Sequence, residues 1–350
     1  IEDTAFYRWH RLSSLNEVGG DPEHFGVSPE ELMAFVVRTA GTWPLTMTTL
    51  TTHDTKRAED VRARLAVLSE RPDAWHAWLR TAQELARPYR SAPLDGATEY
   101  LLWQTVVGAW PLTPDRLQGY ATKAVREAKL HTGWTQVDET YEAAVAAFVS
   151  GVFSDPDLAA HVERWLDDTA SATRAVVLGQ KLLQLVLPGV PDVYQGTEVV
   201  DLTLVDPDNR RPVHVADLSA RLARVDAGGA SDDDLDRLDD EKLLVTSRAL
   251  RLRREHPEWF VGPEATVSHV PTDDEHAFAV ARGDHTGDHV VAVVTRLPSS
   301  LDGWADATVA VPAGTWSDVL SGATHTSAGT LPIGAVLATR PVSLLVRTLV

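Results

Sequence analysis

The sequence predicts an α/β protein: part of a (β/α)8 barrel, its last strands, with a large inserted helical subdomain and a C-terminal antiparallel β domain. Three observations predict it. Residues 45–52 (LTMTTLTT) and 189–194 (GVPDVY) are short runs, rich in β-branched and apolar residues, that read as buried strands. Between them the apolar spacing is helical almost throughout, too long for one crossover helix, so it reads as an insertion between neighbouring units of a parallel barrel. From about residue 266 the period changes to two, in TVSHV, HAFAVAR, HVVAVVTRL, ATVAV and VSLLVRTL, separated by Gly, Asp, Pro and Ser.

The elements follow in order. The opening, IEDTAFYRWHRLSSLNEVGGDPEHFG, has no initiator Met and no cap or strand start, and reads as a loop within a longer polypeptide. Ser28-Pro29-Glu30-Glu31 is a helix start with cap, first-turn proline and capping-box glutamate, followed by Leu32, Phe35, Val36 and Thr39 on one face, and Gly41 is expected to stop it. A helix beginning near Thr55 aligns Val61, Leu65 and Leu68. Thr113-Pro114 and Asp138 open further helices, residues 158–166 mark another, and residues 173–187 form the most apolar one. After the second strand come a polar loop (DPDNRRPV), a short helix, an acidic run (SDDDLDRLDDEK) that reads as a solvated helix start, and a helix through Leu243, Leu244, Leu250 and Leu252. The divisions expected are 1–55, the barrel through the first strand; 56–187, the helical insert and a packing helix; 188–262, the second strand and final barrel helices; and 263–350, a β-sandwich.

At 350 residues, with 44% apolar and 23% charged side chains, the chain can bury the cores of about two or three domains. A net charge of −18 repels a phosphate backbone, which argues against nucleic acid as a partner. No run approaches the roughly 20 apolar residues that cross a bilayer, so no membrane is expected either. The absence of cysteine removes disulfides, thiol nucleophiles and thiolate metal sites. Chemistry must come from carboxylates, imidazoles and hydroxyls. The 11 Trp outnumber Phe and Tyr, and flat amphipathic rings suit sugar clefts, although most fill cores.

Asp54, following His53 at a strand end, is the sharpest local feature. An Asp directly before a helix is also a common N-cap, so both roles stand. There is no HExxH, no Gly-rich phosphate loop and no G-x-S-x-G elbow, and nothing in the residues requires a metal or a cofactor.

THDT at 52–55 resembles the fourth signature segment of the α-amylase superfamily, glycoside hydrolase family 13, and PGVPDVYQGTE at 188–198 resembles its eighth-strand segment. The longer strings IEDTAFYRWHRLSSLNEVGGDP, TTHDTKRAEDVRARLAVLSE, YLLWQTVVGAWP, YATKAVREAKLHTGW and VDLTLVDPDNRRPV resemble the maltooligosyltrehalose synthases, from residue 1 to about 260. The β domain matches only in kind.

The resemblance implies that the two strands are barrel strands 7 and 8 and that the chain is the C-terminal half of such an enzyme. It implies an intramolecular transglycosylation turning the reducing-end α-1,4 linkage of a maltooligosaccharide into α,α-1,1, in a cytoplasmic setting, with a maltooligosyltrehalose trehalohydrolase as metabolic partner. Asp54 then matches the family's third catalytic carboxylate and His53 a binder of sugar hydroxyls, while the nucleophilic Asp and acid Glu lie on upstream strands, leaving these residues inactive alone. Phe6, Tyr7 and Arg8 in the opening loop, Arg57 one turn past Asp54, Tyr194 and Glu198 after the second strand, and Asn209 and Arg210 in DPDNRRP are further candidate substrate contacts. Each has an ordinary alternative: a packed loop, a salt bridge, a buried Tyr, a solvated turn. Lys129 and Trp134 belong to the insert, with Trp134 expected in the core before the cleft. Rival functions are another family 13 α-glucan hydrolase and a non-catalytic α-glucan-binding module.

Overall fold

Ser28 forms the helix start that its place before Pro29 predicts. In the computed structural model, which describes residues 2–229 and 234–348, the Ser28 hydroxyl accepts from the Glu31 amide and the Glu31 carboxylate accepts from the Ser28 amide. After a single turn, α1 (Glu2–Phe6), this capping box opens α2 (Pro29–Thr42). The helix buries a narrow stripe through Met33 and Val36, with Leu32 packed beside them, while Phe35 is exposed instead of joining the face expected of it.

β1 (Met47–Thr49) is three residues long, shorter than the LTMTTLTT run predicts, and Leu45 and Met47 are exposed, not buried. It pairs in parallel with β2 (Val190–Asp192), Met47 opposite Val190 and Thr49 opposite Asp192. Two parallel strands cover neither of their faces by themselves, so the apolar side chains at 45, 47 and 190 stay in solvent.

Between them, the helices that Thr113 and Asp138 are expected to open start there, while the one expected from about Thr55 starts four residues later, at Glu59. α3 (Glu59–Glu70) and α4 (Pro72–Ala86) lack side-chain caps, but Asp95 caps α5 (Gly96–Ala109), Thr113 caps α6 (Pro114–Ala128) and Asp138 caps α7 (Glu139–Ser154), each bond worth about 1 kcal/mol. The two helices expected over 158–187 are one, α8 (Pro156–Val186), because the polar stretch DDTASA contains neither Gly nor Pro and the helix runs through it. α9 (Val215–Asp226) and α10 (Asp234–Glu255) follow. Residues 231–233, the start of the acidic run, lie outside the described residues. No single helix among the described residues is long and apolar enough to cross a membrane.

The chain forms two compact units. One comprises Ile1–Phe25, Thr51–Ala170 and Asp201–Arg211. Its core is an aromatic cluster: Trp75 stacks on Trp78 at 4.9 Å, Trp78 meets Trp103 edge-on at 5.8 Å, and Trp165 tilts against Trp75 at 5.6 Å. Such pairs add about 0.5–1.5 kcal/mol each beyond the area they bury. Six of the 11 Trp are buried, so in this chain indole is chiefly core material.

The other unit comprises Gly26–Leu50, Ser171–Val200 and Pro212–Val350. Besides the β1–β2 pair it holds β3 (Thr266–Val270), β4 (Ala277–Asp284), β5 (Gly287–Thr295), β6 (Thr308–Val309), β7 (Gly314–Asp318), β8 (Thr324–Ser327), β9 (Leu331–Pro332) and β10 (Val342–Arg347), with α11 (Ile333–Val336) between the last two. Six form an antiparallel sheet in the order β3-β4-β5-β10-β7-β8, and β6 pairs with β9. Phe278, Val280, Ala292 and Leu344 pack on Met33, Leu182, Val245 and Leu252 of the helices, whereas Ala279, Val291, Val293 and Leu345 pack on Val309, Leu331 and Ile333. Both faces of β4 and β5 are therefore covered, and the alternation read from the sequence sorts residues between two cores. Where a β-sandwich is expected, the second layer is this two-stranded ribbon with its short helix.

Candidate active site

The loop carrying His53 and Asp54 is wound by its own threonines. Thr51 Oγ1 donates to Glu59 Oε2 at 3.1 Å and accepts from the Glu59 amide at 3.0 Å. Inside that ring Thr52 Oγ1 accepts the amides of Asp54 and Thr55, both at 3.2 Å, and Thr55 Oγ1 donates to the Thr52 carbonyl at 2.8 Å. Threonine hydroxyls so placed substitute for a regular ladder and hold a tight turn.

The Asp54 carboxylate is not an N-cap. α3 begins five residues later, after Ala58, so the capping role is corrected. Asp54 Oδ2 lies 3.3 Å from His53 Nε2, and the two side chains are 69% and 52% exposed. An imidazole and a carboxylate are thus offered together to solvent from an ordered backbone.

Two segments brace this turn. Glu17, almost fully buried, accepts the Lys56 amide at 2.7 Å and the Arg57 amide at 3.0 Å. Asn209, also buried, donates Nδ2 to the carbonyls of His53 at 2.9 Å and Thr52 at 3.3 Å. Asp208 next to it accepts both arms of Arg116, at 2.9 and 2.8 Å, and the Leu204 amide. Burial works against the Asp208 charge, but the Arg116 and Leu204 hydrogen bonds and the charges of Arg116 and Arg211 hold its carboxyl below the usual range.

Several of the candidate contacts are engaged by other residues of the chain. Arg57 is completely buried, donating to Tyr120 Oη at 2.9 Å and to the Ser13 carbonyl at 3.3 Å, so its guanidinium reaches no open surface. Tyr7 and Phe6 are buried too: Tyr7 lies edge-on to Tyr120, burial pushes its phenol pKa up, and Phe6 lies under the Lys56 ammonium at 4.9 Å. Lys56 also bonds Asp3 at 3.0 Å and holds that carboxyl below its usual range. Arg8 donates to the carbonyls of Ala128 at 2.6 Å and Lys129 at 3.3 Å, closing the end of α6, where Lys129 takes the left-handed conformation. Asn209 points its amide at the loop backbone, and Arg210 pairs with Asp206 at the surface.

A search of protein-family profiles finds no match. A protein of Mycobacterium tuberculosis named as a maltooligosyl trehalose synthase is 41% identical over 358 residues, covering 99% of this chain and 43% of that protein. The solved structure of maltooligosyltrehalose synthase from Arthrobacter ramosus matches with a TM-score of 0.91 at 41% identity, over 99% of this chain and 44% of its own. This chain is similar in sequence and fold to these maltooligosyltrehalose synthases. A Sulfolobus tokodaii structure described as a hypothetical maltooligosyl trehalose synthase matches at 28% identity and a TM-score of 0.80, over 99% of this chain and 45% of its own. The chain spans less than half the length of these relatives, a coverage that fits a C-terminal half.

Of the other residues singled out, Tyr194 and Glu198 lie in the sheet-containing unit, both half-buried, with the Tyr194 carbonyl accepting from the Thr197 amide at 2.9 Å and the Thr197 hydroxyl at 2.8 Å. Trp134, expected in the core, is 52% exposed, with Nε1 on Glu127 Oε1 at 2.8 Å and Arg126 over its ring. It borders a depression of about 730 Å³ on the helical unit, with Arg116, Tyr120, Lys123, Leu204 and Asp206. Sequence reasoning missed Glu17, Arg116 and Asp208. A lone Glu in SLNEVGG reads as a solvated loop residue, and no local spacing reveals that it caps amides about 40 residues away.

Proposed function

We propose that these residues are the C-terminal portion of an enzyme that rearranges the reducing-end α-1,4 linkage of a maltooligosaccharide to α,α-1,1 by intramolecular transglycosylation, a step in trehalose biosynthesis. The observation that carries the proposal is the His53–Asp54 pair, exposed on an ordered turn and with no helix to cap. On this reading β1 and β2 are strands 7 and 8 of a (β/α)8 barrel, and the exposed Leu45, Met47 and Val190 suit strands that have neighbours in the complete protein.

The chemistry belongs with retaining carboxylate pairs, in which a nucleophile attacks the anomeric carbon, an acid assists departure, and an oxocarbenium-like transition state is crossed twice. Asp54 hydrogen-bonds hydroxyls of the sugar whose bond breaks and stabilises the positive charge as it develops; His53 shares the hydroxyl binding. The nucleophilic Asp and the acid Glu lie outside these 350 residues, which are inactive alone. The released glucose, held and turned in place, replaces water as acceptor, so the closed cleft must exclude solvent. The setting is cytoplasmic, and a trehalohydrolase consumes the product.

The test is product analysis of the full-length protein with maltoheptaose. Trehalose-ended oligosaccharide is expected, with Asp54→Asn lowering turnover about 10²–10³-fold or more, the scale of losing one electrostatic stabiliser. Release of maltose or glucose alone would make it a hydrolase. Binding without any product, unaffected by the substitution, would make it a glucan-binding module.

A further inference from the structure

Asp54 is clamped from both sides along the chain. The backbone just before it is held by Asn209 Nδ2, which donates to the carbonyls of Thr52 and His53. The backbone just after it is held by Glu17, whose Oε1 accepts the Lys56 amide and whose Oε2 accepts the Arg57 amide. Neither side chain approaches open solvent, at 5% and 4% exposure. We propose that Glu17 and Asn209 are positioning residues for Asp54, fixing where its carboxylate meets the sugar.

Glu17 is itself held within its own segment. Its Oε1 also accepts the Val18 amide at 2.8 Å, its carbonyl accepts the Gly20 amide at 2.7 Å, and a side chain at Gly20 would press on the Leu15 carbonyl at 2.8 Å. The segment in front is pinned by Gln104, which accepts the Ser13 amide at 2.8 Å and donates to the His10 carbonyl at 2.7 Å. Asn209 is held equally well, its neighbour Asp208 being locked to Arg116. The clamp is therefore a fixed frame, and three amides share one carboxylate whose two oxygens are both needed. A glutamine there puts an NH2 group against at least one amide N–H, donor against donor, and the turn must shift. Displacement of a reacting group by about 1 Å costs on the order of 100-fold in rate with little change in binding.

This inference rests on Asp54 acting in catalysis as proposed above, and the test separates the two. In the full-length protein, with maltoheptaose as substrate, Glu17→Gln and Asn209→Ala are compared with Asp54→Asn and wild type. Each clamp variant that folds, by circular dichroism, is expected to lose at least tenfold in kcat with KM within threefold, and the Lys56 and Arg57 amides of Glu17→Gln are expected to exchange faster with deuterium. If Glu17→Gln does not fold, Asn209→Ala decides. A smaller kcat loss, or a loss carried in KM, overturns the positioning role; if Asp54→Asn is meanwhile inactive, only that role is lost. Wild-type turnover by Asp54→Asn overturns the catalytic reading and the clamp with it.

Discussion

The Arg57 guanidinium donates to the Tyr120 hydroxyl at 2.9 Å where neither side chain meets solvent. A buried cation depends on every acceptor it has, and Arg57 Nε already finds no hydrogen-bond partner among the described residues. Tyr120→Phe, which keeps the ring and removes the acceptor, is expected to destabilise by about 1.5–3 kcal/mol, read as a lower urea midpoint by circular dichroism. An unchanged midpoint would mean that Arg57 finds another acceptor.

Arg116 and Asp208 form the second brace, with 17% and 16% exposure and two parallel bonds. Arg116→Ala removes the bidentate cation from a largely buried carboxylate, leaving it the more exposed Arg211 at 3.3 Å, and is expected to cost about 3 kcal/mol. The acid dependence follows from the sign of the Asp208 shift. Its folded pKa lies below the unfolded value of about 3.9, so its contribution is present in full above that value and fades as pH falls through the folded pKa. Melting temperatures from pH 6 to pH 2.5 should therefore fall less steeply for Arg116→Ala than for wild type at the acid end, since the variant, left with Arg211 and the Leu204 amide, has less of that contribution to lose.

Local features of the fold were legible wherever a cap or a period declares itself. The Ser28, Thr113 and Asp138 starts and the β4–β5 alternation involve residues within a few positions of one another, where backbone sterics and burial act directly. β7 and β8 were not legible, because GTWSD and THTS are short and polar and owe their pairing to neighbours in the sheet. The site divides the same way. THDT is a compact string that announces itself, while the Glu17 and Asn209 bonds that frame it span about 40 and 156 residues, and no spacing encodes such contacts. Arg57 failed as a surface contact for the same reason: one helical turn past Asp54 suggests proximity, but chain direction after Thr55 sends it into the core.

Gly189 precedes β2 with φ at +113°, a conformation L side chains rarely take, and an added Cβ would sit 2.6 Å from the Thr46 carbonyl oxygen. That same oxygen accepts the Val190 amide at 2.8 Å, so it is fixed by the strand pairing and cannot give way. Gly189→Ala is expected to cost about 1–3 kcal/mol from the backbone conformation alone, with the close approach adding to it. Limited proteolysis should then cut near residues 43–47 or 187–191 faster than in wild type; equal cutting rates would show that the β1–β2 pair accommodates the methyl group.

Trp134 and Trp103 give opposite expectations for one substitution. Trp103 is fully buried, edge-on to Trp78 and to Phe148 at 5.4 Å, and its loss opens a cavity among rings that cannot collapse onto it. Trp103→Ala should cost about 3–5 kcal/mol. Trp134 is half in solvent, held by an Arg126 contact and one bond to Glu127, so Trp134→Ala should cost about 1 kcal/mol or less. Urea unfolding of the two variants side by side checks the contrast, and a Trp134→Ala loss as large as that of Trp103→Ala would place the Trp134 ring in a packed interior.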